Sequence, residues 1–538
     1  MSPKIKTALS LLFLFISFLV YVSQYVNDFY VPDSDFFDYR EKAIAIRNFE
    51  NPGVSKRPPL YSTLIALISN AFQGRDSELY AAEAINMIAA AMSFFFLYRI
   101  ARYFIGRWSF LFLWAWALHP STIRMIIKPK AEVLLLALSC WAFWLFIRQK
   151  KVSYVIGFLS TTVRYEGACC ISGIGGGEFF TQKNKLKPVL YSFLSLSFLL
   201  IWTFLSPGGT QGGSYVDFYS QGSLTLAYLG VLFKGTFEFL PNAVYVLPAT
   251  ASVMLMVYGI FNYIQKKPRE TLYLVFYYLV FILMHIIWFT KNKDYLIIIT
   301  WDSLLLITLG GYSLMTLPKL KEKMIVLLQK KLLIVPAVIV IIAELGVVWY
   351  QESVFRFSWM AFTLFNLAIV VFFLLQIRQR NLLIILIFLM FSLPVSLGMI
   401  RNHSGQFHGI HYAKAEYRLA AEWFARQPEG SRLVISQPFI AQYYSQRDSE
   451  HFMNLTELPN TAPDSLSQWL DQRGITHVAW LYDNRVYESE YSWYQWKLET
   501  RGWKSISFLE TPKDHPGFEF IKQLKAGYRY ALIYRVTS

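Results

Sequence analysis

The sequence predicts a multi-spanning α-helical membrane protein, with about 12 spans including two half-helices, and a C-terminal extracytoplasmic α/β domain. Composition, apolar runs and charge placement point to it together. The 538 residues are 55% hydrophobic and 18% aromatic but only 16% charged, with a mean hydropathy of +0.36. Soluble domains usually carry about 25% charged residues. Apolar runs recur at 8–26, 79–98, 107–147, 152–180, 188–205, 241–262, 271–290, 295–316, 332–349, 357–377 and 380–400. Basic residues cluster in the gaps between them.

Those basic residues orient the chain. Residues 1–400 hold 35 Lys and Arg against 20 Asp and Glu, whereas 401–538 are nearly balanced. Of the 35, 21 fall in seven clusters: Lys4/Lys6, Arg99/Arg102/Arg107, Arg148/Lys150/Lys151, Lys183/Lys185/Lys187, Lys266/Lys267/Arg269, Lys319 to Lys331, and Arg378/Arg380. The positive-inside rule makes all seven cytoplasmic. The surplus of +16 therefore reports topology, and no nucleic-acid partner is expected. Cys140, Cys169 and Cys170 all lie in apolar segments, so no disulfide framework is expected.

An even number of crossings must separate consecutive clusters. The run 107–147 has room for two spans with a turn at His119-Pro120. The run 152–180 is too short for two full spans of ~20 residues, so it predicts two half-helices with their tip around Arg164. The N-terminal run continues into YVSQYV without a small-x-small cleavage site, which predicts an uncleaved first span with a cytoplasmic N-terminus. Domain 1–400 is thus the membrane domain, and its outer loop 27–78 faces the same compartment as 401–538.

That outer loop opens with PDSDFFDY (32–39), which packs Asp33, Asp35 and Asp38 into six residues. It closes at KRPPLY (56–61), where two prolines start a short interfacial helix over 58–72. The glycine-rich stretch 206–220 has the composition of a lid. In the tail, 413–426 and 465–473 read as helices, and 432–436, 475–481, 505–509 and 528–536 as strands.

Charged groups in a membrane domain are costly and mark function by default. Four sites stand out, and the topology brings all of them to the outer face: the acidic loop, Arg57, His119 with Glu132, and Arg164 with Glu166. A local ion pair holding the half-helix turn is an equally good reading of Arg164 and Glu166. Gly173, Gly175, Gly176 and Gly177 lack a following Gly-Lys-Ser/Thr and read as helix packing. His403, His408 and His411 read as a solvated linker. The sequence requires no cofactor, and a divalent cation stays open.

The wording and order of PDSDFFDY, KRPPLYSTLIAL, LHPSTIRMIIKPKAEVLLLAL and GFLSTTVRYEGA resemble the membrane half of GT-C glycosyltransferases. That superfamily includes lipid A aminoarabinose transferases and protein O-mannosyltransferases. The resemblance implies an inverting transfer of sugar from a polyprenyl-phosphate donor to a lipid, glycan or protein acceptor outside the cytoplasm, in a plasma membrane. It implies an Asp of the first outer loop as general base: Asp35, four residues before Tyr39, or alternatively Asp33. Arg57 and Arg164 are implied at the donor phosphate, with Lys128, Lys130 and Lys293 as further cations near that face. Asp38, Tyr39, His119, Glu132 and Glu166 are implied as acceptor-side or supporting groups. The family's T-E or S-E is Ala131-Glu132 in this chain.

A transporter or flippase of lipid-linked sugars is the alternative. It predicts charges near the midplane and two repeated halves. This sequence places its charges at one face and adds an outer domain.

Overall fold

The computed structural model describes residues 31–52 except 33, 57–117, 119–126, 128–205, 246–287, 296–317, 414–482, 505–526 and 529–537, with scattered helical positions between 8 and 19. Asp33, Lys293, the stretch 206–220, the runs 332–349, 357–377 and 380–400, and the three linker histidines lie outside them. The chain forms two compact units, residues 1–25 with 38–405, and residues 26–37 with 406–538.

The first unit is helical throughout its described residues. Helix α1 (Ser34–Arg47) begins within the acidic stretch, and α2 (Leu60–Ser69) follows the two prolines. Helix α3 (Ser77–Ile105) buries Ala81, Ala82, Ala89 and Ala90 along one face, small residues that let neighbouring backbones approach. It ends at Gly106, whose φ of 58° suits a residue without Cβ. The run 107–147 breaks twice, at His119 and again at 128–131. It forms α4 (Ser109–Ala117), α5 (Pro120–Ile126) and α6 (Glu132–Ile147). Pro120 and Pro129 stand at the two breaks, where a missing N–H is tolerated. The expected single turn is therefore two interruptions.

Residues 152–181 fold as two short helices, α7 (Val152–Val163) and α8 (Gly167–Thr181), with Arg164 in extended backbone between them. At 12 residues, α7 rises only about 18 Å. The turn is tight because position 167 has no side chain: a Cβ there would lie 2.4 Å from the Ser160 carbonyl carbon. A Cβ at Gly177 would lie 2.6 Å from the Arg269 carbonyl oxygen, so the glycines serve close packing. Helices α9 (Leu186–Leu205), α10 (Val246–Lys266), α11 (Pro268–Ile287) and α12 (Leu296–Met315) complete the described part. By length and composition two described helices, those at 77–105 and 297–314, are sufficient to cross a membrane.

The second unit is a five-stranded mixed sheet in the order β2-β1-β3-β5-β4. Strands β1 (Leu433–Ile435), β2 (Phe452–Asn454) and β3 (His477–Leu481) pair in parallel, while β4 (Phe518–Ala526) and β5 (Arg529–Val536) add an antiparallel hairpin. Helices α13 (Ala415–Phe424), α14 (Pro438–Ser445) and α15 (Pro463–Asp471) accompany the sheet. Val434, Leu466, Leu470, Val478, Leu532 and Tyr534 form its core. The Tyr534 hydroxyl donates to the Leu509 carbonyl at 2.9 Å. Residues 505–509, expected as a strand, are helical and lead into a 3-10 turn over Ser507–Glu510. Ile506 and Leu509 are both buried, and their spacing of three suits one face of a helical turn rather than an alternating strand. From the segment 26–37, Phe37 packs on Phe439 and Tyr443 with ring centroids 5.3 and 5.4 Å apart.

Candidate active site

Helix α1 arranges the acidic stretch. Asp35 lies in its first turn, where the helix dipole favours a carboxylate. Asp38 and Tyr39 follow one turn later, and Lys42 one turn beyond. The far end of the helix is tied to α3 by Arg47, whose guanidinium reaches Glu78 Oε1 at 2.7 Å, and by Arg40 on the same carboxylate at 3.5 Å.

This places the two ends of the outer loop together. Arg57 is buried at 8% exposure and donates through Nε to Asp38 Oδ2 at 2.9 Å. Its guanidinium carbon lies 5.0 Å from the Tyr39 ring centroid, and that ring meets Tyr61 edge-on at 4.9 Å. The Tyr61 hydroxyl donates to Asn86 Oδ1 at 3.2 Å, and Asn86 Nδ2 donates to the Lys128 carbonyl. Arg57 is thus positioned by a chain of contacts running from α1 through α2 to α3 and on to the α5–α6 connection.

Lys42 is the residue that sequence reasoning missed. It is buried, and its ammonium donates to the Arg57 carbonyl oxygen at 2.8 Å. It also sits 5.8 Å from the Trp202 ring. Burial, reinforced by the Arg57 charge, lowers its pKa to about 8. Burial, followed by repulsion from Asp38, raises the carboxyl pKa of neighbouring Glu41. Arg57 and Lys42 thus both lie close to Asp38, whose side chain is 46% exposed, a pair of buried cations suited to an incoming anion.

Arg164 makes a second buried cluster. Its guanidinium donates to both oxygens of Glu166 at 3.1 Å and to Glu132 Oε1 at 2.9 Å. His285 Nε2 stands 3.9 Å from Glu166 Oε1. The arginine thereby joins the start of α6, the α7–α8 turn and α11. Two carboxylates thus clasp its guanidinium. His119 is fully buried, and its Nδ1 accepts the Ser121 backbone N–H at 3.2 Å. Asp302 in α12 was also missed. It is fully buried, with no hydrogen bond to either oxygen among the described residues, and its signal was a lone acid in an apolar run. Among the described residues no group of three or more His, Cys, Asp or Glu is placed to hold a metal ion.

No family model matches the chain, and no curated protein matches it in sequence. Its fold is that of the GT-C membrane glycosyltransferases. The structure is similar to ArnT from Cupriavidus metallidurans bound to undecaprenyl phosphate, with a TM-score of 0.51, 12% identity, and 99% of this chain and 98% of that chain covered. The apo form of ArnT aligns with a TM-score of 0.51 and 13% identity, over 98% of both chains. An oligosaccharyltransferase from Archaeoglobus fulgidus, tethered with an acceptor peptide, aligns at 0.49 and 11% identity over 88% of this chain and 69% of that chain. The resemblance carried by the four motifs therefore holds for the fold.

Proposed function

We propose that this chain is an integral-membrane inverting glycosyltransferase. It moves a sugar from a polyprenyl-phosphate donor to a lipid, glycan or protein acceptor on the extracytoplasmic side. The observation that carries the proposal is the pairing of two buried cations, Arg57 and Lys42, with the acidic helix α1 in a chain of GT-C fold.

The chemistry divides between the two ends of the outer loop. The carboxylate of Asp35, or alternatively Asp33, accepts the proton of the acceptor hydroxyl as its oxygen attacks the anomeric carbon. The bond from that carbon to the phosphate oxygen breaks in the same displacement, which inverts the configuration. Phosphate leaves as an anion, so no paired acid is needed, unlike in glycoside hydrolysis. Charge accumulates on its oxygens, and Arg57 with Lys42 stabilises it there. Asp38 and the Tyr39 ring hold Arg57 in place. Arg164, clasped between Glu132 and Glu166, ties the half-helix turn, and His119 supports the acceptor side.

Comparing lipids, glycans and glycoproteins by mass spectrometry in cells with and without the gene tests this reading. A single class of conjugate lacking one sugar is expected. Loss of the conjugate with lipid-linked sugar accumulated on the cytoplasmic rather than the outer side would instead indicate a flippase.

A further inference from the structure

At the end of α7 remote from Arg164, the membrane unit has a second feature that the transfer reaction does not use. Helices α7 and α9 enclose an open groove of about 360 Å³, within the size range of ligand sites. Its walls are apolar: Val155 and Leu194 are each 55% exposed, and Phe158 and Tyr191 stand beside them. Tyr154 forms part of the lining, held by its hydroxyl on Glu178 Oε2 at 3.1 Å and by the Ser195 hydroxyl on its carbonyl at 3.3 Å. The groove is separate from the Arg164 cluster, because 13 residues of mostly helical chain put Lys151 about 20 Å from Arg164.

Its rim is cationic. Lys151 lines it, with Nζ 5.6 Å from the Tyr191 ring centroid. Arg148 and Lys150 precede Lys151 in the α6–α7 connection, and Lys183, Lys185 and Lys187 lie around the α8–α9 connection. The antiparallel course of α7, α8 and α9 brings both connections to this end. Glu178 opposes them, and its carboxylate already accepts the Tyr154 hydroxyl. An apolar trough under a positive rim is complementary to an acyl chain beneath an anionic headgroup.

We propose that this groove binds one anionic phospholipid, its phosphate at Lys151 and one acyl chain along Val155, Phe158 and Leu194. Bound there, the lipid braces α7 against α9 and steadies the hairpin whose tip carries Arg164.

Native mass spectrometry of the full chain in detergent, titrated with phosphatidylglycerol or phosphatidylcholine, tests the proposal. One phosphatidylglycerol should be retained in preference to phosphatidylcholine. Lys151→Glu, which removes one positive charge and adds a negative one, should weaken its retention at least about fivefold, the effect of losing one surface charge near an anionic lipid. Val155→Trp, which fills the groove at an exposed position, should weaken it similarly without lowering the melting temperature. Lys183→Glu, outside the lining, should have a smaller effect. Equal retention of the two lipids, retention unaffected by Val155→Trp, or Lys183→Glu acting as strongly as Lys151→Glu would overturn it, leaving only general attraction of lipid to a basic face.

Discussion

Arg57 Nε lies 2.9 Å from Asp38 Oδ2, joining the residue that closes the outer loop to the helix that opens it. The two stand 19 positions apart in sequence, and the guanidinium is buried against Tyr39. A guanidinium held in this way presents fixed N–H donors to an incoming phosphate at little further ordering cost.

Arg57→Ala should therefore raise the donor KM at least about tenfold while leaving the protein folded. Arg57→Lys should recover only part of the loss, because a point charge neither forks onto phosphate nor stacks on Tyr39. Steady-state transfer assays at varied donor concentration distinguish the two variants.

Lys42 predicts a pH dependence. Its pKa of about 8 means that its charge disappears as pH rises through that value, and with it one of the two cations proposed to meet the phosphate. The donor KM should climb by up to about tenfold between about pH 7 and about pH 9. In Lys42→Arg, which stays charged, the profile should be flat over this window.

The Arg164 cluster predicts a stability effect. Arg164→Met leaves Glu132 and Glu166 buried together without their cation, a loss of roughly 3–5 kcal/mol. Thermal melts in detergent should show it as a clear fall in Tm. Adding Glu132→Gln and Glu166→Gln should restore most of the stability, since the orphaned charges are then gone. Transfer by this triple variant near the wild-type rate would match a structural tie.

His477 predicts acid sensitivity of the second unit. Burial, with the Arg535 charge added, lowers its pKa to about 4 from 6.5. The unfolded chain therefore binds the proton first, and stability present above pH 6.5 is lost as pH falls toward 4. The loss is on the order of 2 kcal/mol. His477→Gln in the full chain should flatten this limb of the stability curve, measured by tryptophan fluorescence in urea.

Much of this arrangement is legible in the sequence, and the exceptions have physical reasons. The spacing of basic clusters around 152–180 requires two half-helices, and they meet at Arg164 in the structure. The paired prolines mark the start of α2, and the continuous aromatic and aliphatic run YALIY marks β5. Lys42 was not legible, because in Arg40-Glu41-Lys42 it looks like part of a solvated helix face. Its burial comes from packing with Arg57 and Trp202, residues far away in sequence. Gly167 gave no signal that it lets α8 start against Ser160. Residues 505–509 misled because SISFL has strand composition, while the deciding feature, burial of Ile506 and Leu509 on one side, depends on tertiary contacts. Residues 26–37 group with the C-terminal unit through contacts such as Phe37 with Phe439 and Tyr443, which no local pattern encodes.

The most direct test of the central claim is transfer by Asp35→Asn, measured in membranes with a polyprenyl-phosphate sugar donor and compared with Asp33→Asn. Loss of the general base should cut the rate by about 10²–10⁴-fold in Asp35→Asn, with insertion and melting temperature unchanged. Loss confined to Asp33→Asn would move the base two residues upstream. Wild-type transfer by both variants would contradict the account.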